Sequence, residues 1–450
     1  MQSEASGAQA PIVTGSGLHR VLGLAFGLAI GFGGVVGGGL LKTSGSVAGL
    51  VPEPWLIVAL WTACSLHSFL GANVVAELMT ALPRNGGLFV IARRAFGDFG
   101  GLIVGWADAA QNCAVIAAVT ILFASFGAIV MPSWAPYGVA IAIGVQVLLL
   151  GINLLGVREG SAVQQATALL KAVMLAGIIV ALFIAAGSRE TSIEVPAVVT
   201  IAGAITAYQL IYGVYSGWSY PGYFGDESTN AVRDVPKAIF GCIIAASIVY
   251  IGFNAGLVLA VDPPTMAHSD FPAAEVVGRV FGGNGLLLVM VIAMVMVVSS
   301  ANAYILIVPR ILYGLGRDGL FFRWAERVNR GGTPDLAMVL TVAVSILLTL
   351  SGSFDTVFLL MSAMTLFTMV VTDLAYFVLR YREPELARPF RAKWHPVLPI
   401  LLLLIDGALF VAILVTDPFG FMAMLAMIAI AIPISGLIHV MRRRESAAVA

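Results

Sequence analysis

The residues able to do chemistry in this 450-residue chain are few, and most stand inside apolar segments. Lys171 is the most telling. It lies about nine residues into a hydrophobic run, roughly 13 Å from the end of that run on a helix. A lysine at such depth costs about 2.5–3.5 kcal/mol on insertion scales, so a partner or a function is expected. The plain alternative is a lysine that snorkels to the interface. Asp108, Gln111 and Asn112 follow at i, i+3 and i+4, which puts them on one helical face of an otherwise apolar span. They form either a polar cavity wall, with Asp108 facing a cationic side chain or a proton path, or a hydrogen-bonded seam between helices. Asn302 and Tyr304 allow the same two readings. Glu77 with Arg84, and Asp226 and Glu227 with Arg233, read as loop ion pairs that brace the fold or an inner gate. Lys42 either reaches an outer vestibule or binds a backbone carbonyl. Cys64, Cys113 and Cys242 sit in apolar runs without metal-ligand spacing or a disulfide framework. His19, His67, His268, His395 and His439 are scattered. There is no HExxH, catalytic triad, P-loop or zinc pattern. The expectation is therefore no enzyme, no catalytic residue, no metal site and no cofactor.

The elements that position these residues are membrane spans. The chain is 60% hydrophobic and 11% charged, against about 25% charged in soluble domains. Apolar runs fall near 20–50, 54–81, 98–130, 136–155, 162–187, 199–224, 237–261, 283–314, 335–352, 354–379, 396–416 and 419–441. Each span needs roughly 20 apolar residues, so about twelve spans fill the chain. With the N-terminus inside, the inner loops and tails hold 20 of the 24 Lys and Arg residues. The positive-inside rule then sets both termini in the cytoplasm. The expected location is multi-pass in the plasma membrane, here a bacterial inner membrane, with the lipid bilayer as partner. Net charge is zero, so no nucleic-acid partner is expected. Residues 1–19 are polar and Gly/Ser-rich and read as a cytoplasmic tail rather than a signal peptide.

Two spans are weak helices. The first reads GFGGVVGGGLLKTSG, with Gly31, Gly33, Gly34, Gly37, Gly38 and Gly39 close together. Each glycine costs a helix about 1 kcal/mol relative to alanine, so local unwinding is inexpensive. The alternative is a seam for tight helix packing. The sixth span reads YGVYSGWSYPGYFGDE, with Gly213, Gly217, Pro221 and Gly222. Interruptions at corresponding places in two halves point to a transporter site between inverted repeats.

The residues also carry a family resemblance. VVGGGLLKTSGSVA resembles the first-helix signature of the amino acid–polyamine–organocation (APC) transporters. AELMTALPRNGG is similar to the end of their second helix, and INLLGVREGSAVQQATALLK to their fourth-to-fifth junction. YSGWSYPGYFGDESTNAVRDVPKAI resembles their sixth helix, SSANAYILIVPRILYGLGRDGLFF their eighth, and RYREPELARPFR the loop after the tenth. The ordered match runs from about residue 20 to 440, and the GW pair leans towards the branch with L-type and related bacterial permeases. The resemblance implies an all-α integral membrane fold of about 12 helices. This is a LeuT-like 5+5 inverted repeat with discontinuous first and sixth helices, plus two extra C-terminal helices. Its expected divisions are a tail at 1–19, a first repeat at 20–187, an inverted second repeat at 188–380, the extra pair at 381–441 and a tail at 442–450. The sequence departs from the pattern at Gly38, Leu41 and Ser44. It also has Gly213 where the L-type branch carries a lid aromatic, with Tyr212 and Tyr215 beside it. That implies a roomier pocket or a relocated lid.

The function so implied is a secondary amino acid transporter working by alternating access. It would run by proton symport or amino acid exchange, independently of sodium. A broken helix leaves amides and carbonyls without partners, each costing several kcal/mol in lipid unless satisfied. An amino acid carboxylate would take the amides near Gly37, Gly38, Gly39 and Leu40, at a half-helix N-terminus. Its ammonium would bind carbonyls near Val35, Val36 and the stretch Gly213, Tyr215 and Ser216. Trp218 either lines the pocket or packs. Asp108 and Asn112 belong to the candidate substrate wall. By resemblance Lys171 would brace the broken first span against span 8 near Ser299 and Ser300, and it is a candidate carrier of a coupled proton. A polyamine, amine or organic-cation carrier of the same fold, which Asp108 would favour, is the first alternative. A non-transporting substrate sensor is the second. No obligatory protein partner is expected.

Overall fold

A computed structural model describes residues 12–13, 17–187, 199–351 and 354–449 of the chain. Most of the expected N-terminal tail lies outside the described residues. Apart from a two-residue antiparallel pairing of Ile12–Val13 with His19–Arg20, the ordered elements among the described residues are helices.

The first apolar run folds as two helices, α1 (Leu24–Val35) and α2 (Gly39–Leu50). Then come α3 (Pro54–Ala81), α4 (Leu88–Val130), α5 (Gly138–Leu155) and α6 (Val157–Ala186). Within α4, Gly97 has φ 78°. This left-handed residue divides an arm, 88–96, from the straight span that begins where the apolar run begins. The sixth run gives α7 (Ile201–Tyr215) and then a single 3-10 turn at Tyr220–Tyr223. The chain continues through α8 (Ala231–Ala260), two short connecting helices α9 (Pro263–Ala267) and α10 (Pro272–Phe281), and α11 (Gly283–Arg317). It ends with α12 (Asp335–Thr349), α13 (Phe354–Arg382), α14 (Val397–Thr416) and α15 (Pro418–Val449).

Among the described residues nine helical segments are long and apolar enough to cross a bilayer. Three shorter apolar helices, Ile201–Tyr215, Asp335–Thr349 and Pro418–Ile434, complete the twelve runs. The shortness of α7 follows from its interruption. Several helices start before their apolar run, α6 at Val157 and α8 at Ala231. Their first turns carry Arg158 and Glu159, or Arg233 and Asp234, which hydropathy alone assigns to loops. Side-chain caps fix other starts. Glu53 accepts from Leu56 N at 2.5 Å, Thr200 from Gly203 N at 3.0 Å and Asn230 from Arg233 N at 3.2 Å, each satisfying an orphan amide.

Helices α4, α11 and α13 pack together as one group, and α1, α3 and α8 as another. The two breaks meet between them. Gly217 (φ 107°) lets the chain turn after α7, and a β-carbon there would stand 2.8 Å from the Gly34 carbonyl carbon. No other residue fits both the conformation and the space.

Candidate functional site

The end of α1 shows where the cost of unwinding is met. Its last carbonyls are claimed by side chains from three other helices. Lys171 on α6 donates to Gly33 O at 3.2 Å, to Phe32 O at 3.5 Å and to Val36 O. Its ammonium also lies 5.4 Å from the Phe32 ring centre. Ser300 on α11 donates to Gly33 O at 2.9 Å and Val36 O at 3.5 Å. Tyr304, one turn along, donates to Gly34 O at 3.1 Å. Tyr250 on α8 bridges both broken helices, with Val35 O at 2.7 Å and Val214 O at 3.1 Å. Lys171 does not snorkel. It is fully buried about 21 Å along α6, at 1.5 Å per residue, with its Nζ on backbone carbonyls. Ser299 is not part of this cluster, since its Oγ has no hydrogen-bond partner among the described residues.

The amide side of the break is different. Leu40 N and Leu41 N turn back to Gly37 O (3.4 Å) and Gly38 O (3.2 Å). The amides of Gly37, Gly38 and Gly39 donate to nothing among the described residues. These three glycines line a cavity of about 50 Å³ with Gly34, Val35, Gly213, Val214 and Ser216. Ser300 and Tyr304 complete its polar rim, while Val115, Ala118, Val119 and Leu122 of α4 and Met361 of α13 form an apolar wall. Among the described residues no charged side chain contributes to it. Space, not φ, requires glycine at the middle of the triplet. A β-carbon on Gly38 would fall 2.6 Å from Val297 Cγ1, whereas one on Gly39 would meet Val214 at an ordinary 3.6 Å.

Several sequence-level candidates lie elsewhere. Leu40 is fully buried outside the lining, and Val36 O already holds two donors. Asp108 and Asn112 belong to a seam. Asp108 accepts from Tyr223 OH at 2.7 Å, from Gln111 at 2.9 Å and from Asn112 at 2.9 Å. Asn112 in turn accepts from Tyr220 OH at 2.7 Å. This tie holds α4 to the 3-10 turn after the second break. Asn302 belongs to another seam, bonding Asn153 and Gln164. Tyr215 packs on Trp61 and Tyr250 with its hydroxyl on Trp61 O. Trp218 fills the space left by Gly71, where a β-carbon would meet its ring at 2.8 Å. Tyr212 turns away to stack on His67. No aromatic of α7 therefore reaches the cavity, and the opening left by Gly213 is not refilled by its neighbours.

The loop charges pair differently from the expectation. Glu77 binds Arg380 (2.5 Å) and Arg388 (3.1 Å), not Arg84, which binds Asp318 at 2.9 Å. Asp226 binds Arg317 at 2.6 Å. Glu227 receives Arg310 through Nε at 3.0 Å and Nη2 at 2.8 Å, both side chains fully buried, and Asn85 at 2.6 Å. Arg233 pairs with Asp234 next to it. The short-range guesses failed because sequence proximity does not predict which helix ends meet.

The cavity wall from α4 and α13 was missed at the sequence level. Its members are ordinary apolar residues, and nothing in their type separates a wall from a core. No group of His, Cys, Asp or Glu suited to a metal occurs among the described residues.

Comparison with known proteins agrees with this architecture. A family model described as amino acid permease matches residues 17–444. The serine/threonine exchanger SteT of Bacillus subtilis is 25% identical, over 89% of this chain and 93% of that protein. The b(0,+)-type amino acid transporter 1 of Mus musculus is 24% identical over 89% and 84%. A solved nucleobase-cation-symport-1 family transporter, MHP1 in a closed conformation, shares the fold with a TM-score of 0.56 and 17% identity, covering 93% of each chain. Twelve hydrophobic segments, two of them broken against each other, and a match along almost the whole length lead to one conclusion: this chain is a multi-pass membrane transporter that belongs to the amino acid permease family.

Proposed function

We propose that the chain carries neutral amino acids by alternating access, with the substrate's backbone end bound at the break between α1 and α2. One observation supports this most. The amides of Gly37, Gly38 and Gly39 are unpaired at a cavity wall, while the carbonyls just before them are held by Lys171, Ser300, Tyr304 and Tyr250. Unpaired amides at a half-helix N-terminus attract an anion, and a carboxylate supplies it. The ammonium would use the carbonyls of Val35 and Val214. Both residues line the cavity; the single Tyr250 proton is shared between the two carbonyls, and each keeps a free lone pair.

The apolar wall of Val115, Val119, Leu122 and Met361 sets the side-chain preference. A cationic side chain buried there would lose its hydration without a counter-charge, and Asp108 is engaged in its seam. This argues against the amine and organic-cation reading. The relatives named as serine/threonine and amino acid transporters fit a substrate with a free carboxylate and ammonium. Lys171, whose Nζ sits on the carbonyls of the first break, makes sodium an unneeded partner there. The driving solute is then a proton or a second amino acid. The clustering of Arg and Lys in the loops assigned to one side supports both termini inside.

Uptake into proteoliposomes tests the reading. Neutral amino acids should accumulate with or without sodium, and lysine, arginine and diamines should not compete. Uptake that requires sodium, or that prefers cations, would overturn it.

A further inference from the structure

A second group of ionisable residues lies far from Lys171 and has no role in the site described above. His67 on α3, Asp373 on α13 and Asp406 on α14 come from three helices, and all three are at most 4% exposed. His67 lies about 20 Å along α3 from Pro54 and Asp406 about 14 Å along α14, at 1.5 Å per residue. Both are thus near mid-span. His67 Nε2 is 3.0 Å from Asp406 Oδ1. The two atoms make no aligned hydrogen bond at that distance, so they are in polar contact only. The Asp373 and Asp406 carboxyls are in contact with each other. Neither is paired with a lysine or arginine among the described residues.

The groups that face this cluster from the packed helices are few. Helix α3 adds Cys64, one turn before His67, and α7 adds Tyr208 and Tyr212. His67 Nδ1 shares a 3.0 Å hydrogen bond with Tyr208 OH, the imidazole stacks on Tyr212 at 5.1 Å, and the Tyr212 hydroxyl lies near Asp406. Tyr215 follows on α7, within electrostatic range of Cys64. There is no fixed positive charge among these groups. Two carboxyls in contact within a bilayer cannot both stay ionised without a compensating cation. The only mobile compensation here is a proton, on a carboxyl or on the imidazole. Ionisable residues placed in a span without a permanent partner mark an ion or proton site by default.

Position gives the cluster a consequence. Tyr208 and Tyr212 stand one turn apart on α7, and Gly213, Val214 and Ser216, which follow directly, line the substrate cavity. A change of charge at the cluster therefore acts on the half-helix that forms one wall of the cavity. We propose that His67, Asp373 and Asp406 form an intramembrane proton-binding site whose occupancy is linked to substrate binding through α7. This rests on the amino acid transporter reading above and names the coupled solute for it. The balance is one proton taken up from water by the cluster as the amino acid binds, and released on the other side with it.

The test uses the full-length protein in detergent and in proteoliposomes, with a neutral amino acid as probe. Where one proton is linked to binding, wild-type affinity changes by about tenfold per pH unit across the titration. An acid exterior then raises uptake. In Asp406→Asn and Asp373→Asn the slope of affinity against pH should flatten, judged on protein that is monodisperse and still binds the probe. Direct proton uptake by wild type on adding the amino acid, read with a pH indicator in weak buffer, needs no variant. The proposal is overturned if wild type takes up no proton on binding. It is equally overturned if both variants keep the wild-type slope while Lys171→Gln flattens it. Failure of wild type to bind or move any amino acid would instead sink the transporter reading, so the two failures are separable.

Discussion

At the residue scale, the site is made by what unwinding exposes and by which side chains cover part of it. Gly38 is the clearest case, because an added methyl meets Val297 at 2.6 Å. Overpacking of this kind costs about 1–3 kcal/mol, roughly a factor of ten or more in binding. Gly38→Ala should therefore weaken binding by about that factor, whereas Gly39→Ala, with ordinary space, should have a smaller effect; binding titrations of the two variants check this. Lys171→Met should leave the Gly33 and Val36 carbonyls short of a donor. Each such loss costs about 1–3 kcal/mol, so a lowered melting temperature in detergent and reduced uptake are expected. Unchanged melting and uptake would contradict the brace. The glycine cluster was legible because glycine is the residue a break requires. Asp108 was only half legible: its spacing with Gln111 and Asn112 gave a shared face, but not the neighbour that face meets. His67, Asp373 and Asp406 carried a signal of their own, since an ionisable residue well inside each of three apolar spans is unusual.

At the element scale, two devices hold the broken helices. One is Tyr250, which ties the ends of α1 and α7 with a single hydroxyl. The other is the buried Arg310–Glu227 pair, which fixes the link between α7 and α8 to α11. Removing one member of a buried pair costs about 3–5 kcal/mol, so Glu227→Gln should lower the unfolding temperature markedly, while the exposed Arg233→Gln should leave it nearly unchanged. Thermal unfolding followed by a thiol-reactive dye on the buried cysteines gives the readout. Gly213 makes the opposite prediction for function. Gly213→Phe should fill the cavity and abolish uptake of leucine before that of alanine, measured as competition by each. The paired interruptions and the twelve runs could be read from hydropathy, because a bilayer imposes length and apolarity on every span. The ion-pair partners could not, because they join residues as far apart as Glu77 and Arg388.

At the scale of the whole molecule, the chain separates polar work from apolar surface. Among the described residues its charges gather in ion pairs near helix ends and in a few buried clusters, and none lines the cavity. Sequence gave the class of fold and the location of the breaks, through composition and through the ordered family motifs. It did not give the apolar wall from α4 and α13, since core and wall use the same residues. It also did not show that α7 would offer no aromatic lid. The central claim is that the amides of Gly37, Gly38 and Gly39 hold the substrate's carboxylate. The most direct measurement compares leucine with leucinamide and isoamylamine as competitors of labelled neutral amino acid in proteoliposomes. Leucine should compete, and the two compounds without a carboxylate should not. Equal competition by all three would contradict the claim.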